Sequence, residues 1–70
     1  HRAKAARRMA EILGRSERWS DAVHMLRKAI DWEQDGRRRA ELLASLARVL
    51  RDRLDNRVLA RRCFESALEG

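Results

Sequence analysis

The chain has 70 residues, enough for one small domain, and at this length only about 60% of the unfolded surface is buried, so the core is marginal unless neighbours help. Charged residues make up 40% of it, Pro and Tyr are absent, and the formal net charge is +6. This composition excludes a sheet protein, which needs β-branched and aromatic residues, and a membrane span, which needs about 18 continuous apolar residues.

Apolar spacing predicts four helices. The first covers about Ala3 to Leu13, where Ala6, Met9, Ala10 and Leu13 share a face, and Gly14 is the expected stop because glycine takes the left-handed conformation at low cost. The second covers about Arg18 to Trp32, with Ala22, Val23, Leu26, Ala29 and Ile30 as its stripe and Ser16 as its expected cap. Trp19 belongs with the core, and Trp32 is either core edge or an exposed contact. Asp35-Gly36 breaks the chain, and the Asp35 carboxylate is placed to accept from the free amides of a third helix, about Arg37 to Arg53. Leu43, Leu46, Ala47 and Leu50 give this helix one apolar face, which Leu42 and Val49 widen, so it should pack on two sides. Asp55-Asn56 then turns into a fourth helix, about Arg57 to Leu68, whose stripe is Ala60, Cys63, Phe64, Ala67 and Leu68.

The halves repeat one another. Met9, Ala10 and Leu13 recur 37 residues later as Leu46, Ala47 and Leu50, and Ala22, Leu26, Ala29 and Ile30 recur 38 residues later as Ala60, Phe64, Ala67 and Leu68. Two stripes duplicated at nearly one period are the signature of stacked helical hairpins. The expected fold is all-α: two antiparallel helix-turn-helix hairpins, repeat one over about 3–32 and repeat two over about 37–69, in a single domain over 1–70.

In these residues the chain resembles the tetratricopeptide (TPR) repeats. Large-small-large positions on the first helix of each repeat match Met9-Ala10…Leu13 and Leu46-Ala47…Leu50; the small-large-small positions of the second match Ala22…Leu26…Ala29 and Ala60…Phe64…Ala67. The small residues allow close helix approach and the large ones fill the gap. The period departs from the usual value of about 34, and the proline that often follows the second helix is missing, so a related, longer α-solenoid repeat is the other member of the same architecture. The resemblance implies a binding scaffold, with a groove lined by the first helix of each hairpin. Carried over position by position, it assigns Lys4, Arg7, Glu11, Glu41, Ala44, Arg48 and Arg51 to that groove, which would be mildly basic and suit an acidic peptide or partner protein. Glu11 and Arg48 stand where the carboxylate-clamping class of the family carries asparagine, so no such clamp is assigned.

No catalytic, cofactor-binding or metal-binding set is visible, and the chain is not expected to be an enzyme. Cys63 lies on an apolar stripe beside Phe64 with no His near it in sequence, as a small buried hydrophobe does. His24 and Asp21 sit one turn apart, but two groups do not complete a site. Asp31, Glu33 and Asp35 form a small acidic group at a helix end, suited to capping and solvation. The three glycines are isolated and form no phosphate loop.

The alternative function is nucleic-acid binding through Arg37, Arg38, Arg39, Arg51, Arg53, Arg57, Arg61 and Arg62. Against it, arginines paired at i,i+4 with Glu and Asp merely solvate helix faces. Helix four has no following helix to cover it, so self-association through Leu59, Cys63 and Phe64 is a further expectation. A lone cysteine and the lack of a signal-like apolar run fit a cytoplasmic protein with no membrane partner. With no Met at its start, the sequence reads as part of a longer protein, and His1 is set aside as a possible tag remnant.

Overall fold

A computed structural model describes residues 2–69. The predicted domain's two end residues, His1 and Gly70, lie outside the described residues. The described residues form four α-helices: α1 (Arg2–Arg15), α2 (Trp19–Trp32), α3 (Gly36–Asp52) and α4 (Arg57–Glu69). α1 packs on α2 and α3 on α4 as two antiparallel hairpins, and the hairpins meet through one seam, α2 on α3. The result is a slab of 28 × 28 × 13 Å, with a radius of gyration of 11.0 Å, the value of about 11 Å expected for a compact chain of this length.

The core follows the duplicated pattern. Ala10 and Ala47, the small positions of α1 and α3, are buried, as are Ala22 and Ala60, the small positions of α2 and α4. Leu26, Ala29 and Ile30 from α2 join Leu42, Leu46 and Leu50 from α3 in one continuous cluster. α3 therefore packs on two sides, α2 and α4, as its broad apolar face requires. The outer helices differ because each has one helical neighbour among the described residues: Met9 is 47% exposed where its counterpart Leu46 is 4%, and Leu68 is 88% exposed where its counterpart Ile30 is 6%. Trp32 lies outside the core, with the Arg2 guanidinium 5.9 Å from its ring centroid.

The turns correct two expectations. Gly14 does not stop α1, which continues to Arg15. The left-handed residue is Glu17, at φ 59°, and the Glu17 and Arg18 amides donate to the Gly14 and Leu13 carbonyls at 3.1 and 2.9 Å, a Schellman closure. Gly14 is instead a point of close approach: a Cβ there would lie 3.1 Å from the Trp19 ring. Ser16 does not cap α2 either; Arg18 occupies the cap position, with no side-chain hydrogen bond to the helix. The tight closure of α1 spends Ser16 on the turn itself. The Asp35 carboxylate does cap α3, accepting from the Arg38 amide at 2.9 Å. Of the pair before α4, Asn56 is the cap, with Oδ1 accepting from the Leu59 amide at 3.3 Å, while Asp55 takes the left-handed turn at φ 50°.

Candidate peptide groove

Because consecutive helices pack in a zigzag, α1 and α3 stand apart as two walls with α2 between them as a floor. The cleft holds about 580 Å³. Its floor is Ala22 and Leu26, with Trp19 at one end. Its α1 wall carries Arg7, Ala10, Glu11, Gly14 and Arg15, and its α3 wall carries Glu41, Leu42, Ser45 and Val49. The small residues Ala10 and Ala22 leave room between the walls, while the space beside Gly14 is taken by the Trp19 ring. A second cleft of about 450 Å³ shares Arg7, Glu11 and Leu42 and extends the groove past Lys4, Arg8, Glu33 and Arg38. Over the whole length, basic Lys4, Arg7, Arg8, Arg15 and Arg38 stand against acidic Glu11, Glu33 and Glu41, so the rim has a positive excess. The closest ion pair on it, Arg7 Nε to Glu11 Oε1 at 3.9 Å, is long and more than half exposed, and leaves Arg7 available.

Four of the seven expected groove residues, Lys4, Arg7, Glu11 and Glu41, line this groove. The other three do not. At about 100° per residue, Ala44 and Arg51 lie about 60–80° round α3 from Glu41, away from the Ser45–Val49 side, while Arg48, about 20° from Glu41, stands at the solvent edge of that line. Ala44 is half-buried and Arg48 is exposed outside both clefts. The Arg51 guanidinium lies 5.7 Å from the Phe64 ring centroid and bonds Asp52 through Nε at 2.8 Å. That hydrogen bond holds the Asp52 carboxyl below the ordinary aspartate range. Leu42 is buried beside the cleft, on the edge of α3 that also carries Val49. Trp19, expected in the core, stands half-buried at one end of the cleft, and Arg38, read with the nucleic-acid surface, and Arg15 join it because the register of one hairpin against the other decides what borders the cleft.

The arginine surface named for nucleic acid is divided. Arg37, Arg38 and Arg39 stand at the start of α3, beside the end of α4, whereas Arg51 and Arg53 lie at the end of α3 and Arg57 and Arg61 at the start of α4. At a rise of about 1.5 Å per residue, α3 puts about 20 Å between those groups. Two are also stacked on aromatic rings, Arg51 as above and Arg53 at 4.9 Å from the Trp19 ring centroid, while Arg57 with Asp55 at 3.6 Å and Arg61 with Glu65 at 3.3 Å form exposed ion pairs that leave both arginines available. His24 is exposed, and Asp21 pairs with Arg18 at 2.7 Å. Cys63 is buried in the α3–α4 core, where burial pushes its thiol pKa up and disfavours the thiolate. No helix among the described residues is long and apolar enough to cross a membrane. Comparison with protein-family models, with curated proteins and with solved structures found no match for the chain.

Proposed function

We propose that this chain is a TPR-like α-solenoid unit that acts as a protein-interaction scaffold, not an enzyme, and holds a peptide segment of a partner protein in the α1–α3 groove. The observation that carries the reading is the combination of an apolar floor, Ala22 and Leu26, with a rim of basic excess. The matching partner is an acidic segment with one or two apolar anchors: the anchors take the floor, and the acidic residues take Arg7, Arg15 and Arg38. Burial of the repeat-equivalent alanines supports the family assignment, and a free buried thiol suits a reducing compartment such as the cytoplasm.

Trp19 lines the groove and reports on it directly. With Trp32→Phe removing the second indole, titration of an acidic peptide carrying Leu anchors should change Trp19 emission in a saturable way. Arg7→Glu with Arg15→Glu should weaken binding at least tenfold, and salt should weaken it too. No saturation up to about 1 mM peptide, or complete displacement of the peptide by duplex DNA, would overturn the proposal.

A further inference from the structure

Each of the three aromatic rings has an arginine over it: Arg2 on Trp32 at 5.9 Å, Arg51 on Phe64 at 5.7 Å and Arg53 on Trp19 at 4.9 Å, the closest of the three. A guanidinium lying on a ring uses its face there and keeps its N–H donors, which lie in its plane, for a second partner. Arg51 already has that partner, because Nε and Nη2 donate to the Asp52 carboxylate at 2.8 and 3.3 Å. Its ring belongs to the α3–α4 hairpin, where Leu59 and Phe64 are half-buried and Cys63 is buried, so the residues expected to drive self-association are turned inward. Trp32 and Arg2 border a separate cleft that carries its own carboxylates, Glu33 and Asp35. Arg53 is different. The aspartates on either side of it are held elsewhere, Asp52 by Arg51 and Asp55 by Arg57, and no carboxylate among the described residues lies within 4.0 Å of its guanidinium.

The ring beneath Arg53 is the one that ends the cleft. It is held against α1, where a Cβ on Gly14 would come within 3.1 Å of it, and Arg53 reaches it from the end of α3. We propose that Arg53, held by Trp19, is a carboxylate-reading subsite of the groove: it recognises an Asp or Glu side chain of the partner beside the apolar residue seated on Ala22 and Leu26. This rests on the groove reading and assigns the groove a residue outside its lining. Arg15 lines the same end from the other hairpin, so the partner's acid meets a cation on each side. Stacking fixes the guanidinium before the partner arrives, which lowers the ordering cost of a two-pronged carboxylate bond. Lysine supplies a charge but neither the planar fork nor the stack.

Titration calorimetry with two peptides is the test. Both are acetylated and amidated, so that only side chains carry carboxylates, and both have Leu anchors; the anchors are flanked by Glu in one and by Gln in the other. Arg53→Gln should weaken the Glu peptide about tenfold and the Gln peptide less than about twofold. Arg53→Lys should recover no more than about threefold of that loss, and Arg51→Gln should change either affinity by less than about twofold. Nuclear magnetic resonance adds a readout that needs no peptide. The Arg53 Hε proton should lie upfield in the free chain through the Trp19 ring current and return downfield in Trp19→Leu. The Glu peptide should move it, and the Gln peptide should not. Arg53→Gln weakening both peptides alike, or neither, overturns the subsite while the groove stands; full recovery by lysine, or an Arg53 Hε indifferent to Trp19, overturns it too. If neither peptide binds the wild-type chain, the groove reading falls and the subsite with it.

Discussion

Leu46 and Met9 occupy one register position in two copies of a hairpin, and replacing each by Ala measures what the seam contributes. Leu46 is 4% exposed between α2 and α4, while Met9 is 47% exposed on the outer side of α1. Truncating a fully buried Leu to Ala costs about 2.7–5 kcal/mol, the transfer free energy of the lost carbons plus the cavity they leave. Met9→Ala leaves no closed cavity, removes a side chain already half in water and gains slightly in helix propensity, so its cost is about 0.5–1 kcal/mol. At about 0.05–0.15 kcal/mol per residue, a chain of 70 residues is stable by about 3.5–10 kcal/mol. The first substitution therefore removes about a quarter or more of the total and the second a smaller part. Urea unfolding followed by far-ultraviolet circular dichroism, at a concentration low enough to suppress association, reads both. A Leu46→Ala cost below about 1 kcal/mol, or equal costs at the two sites, would refute the assignment of the α2–α3 seam.

The turns give a paired test: Asp35→Ala should destabilise by about 1 kcal/mol through loss of the α3 cap, whereas Ser16→Ala should change stability by less than about 0.5 kcal/mol in the same urea assay. Gly14→Leu drives a side chain into the Trp19 ring, so it should cost about 1–3 kcal/mol and shift Trp19 emission to the red in a Trp32→Phe background. Cys63 should react with iodoacetamide far more slowly in the native chain than in urea, because its thiol is buried and its ionisation is disfavoured by burial. Equal rates would place it at the surface.

Helix positions were legible because the 3.6-residue period is strong: each boundary lies within two residues of its expected place. The Asp35 cap was legible for a local reason, a carboxylate three residues before the amide it serves. What sequence could not supply was the relation between elements. Gly14 reads as a stop until Trp19 is placed against it, and Glu17 carries no side-chain signal for the left-handed turn it makes. Met9 and Leu46 read alike in the stripe; only the count of neighbouring helices separates them. Likewise α3 carries polar residues on both sides of its apolar face, and the packing of α2 decided that Glu41 and Ser45, not Arg48 and Arg51, border the groove with α1.

Among the described residues the two hairpins meet at α2 and α3, and α1 stands apart from α3 across the cleft. Methyl-labelled nuclear magnetic resonance of the dilute chain addresses it through proton–proton cross-peaks. Cross-peaks should join α2 methyls (Leu26, Ile30) to α3 methyls (Leu42, Leu46), and none should join Met9 or Ile12 to any residue of α3 or α4. Cross-peaks from the Met9 methyl to Leu42 or Leu46 in dilute solution would fold α1 onto α3, close the groove and contradict it.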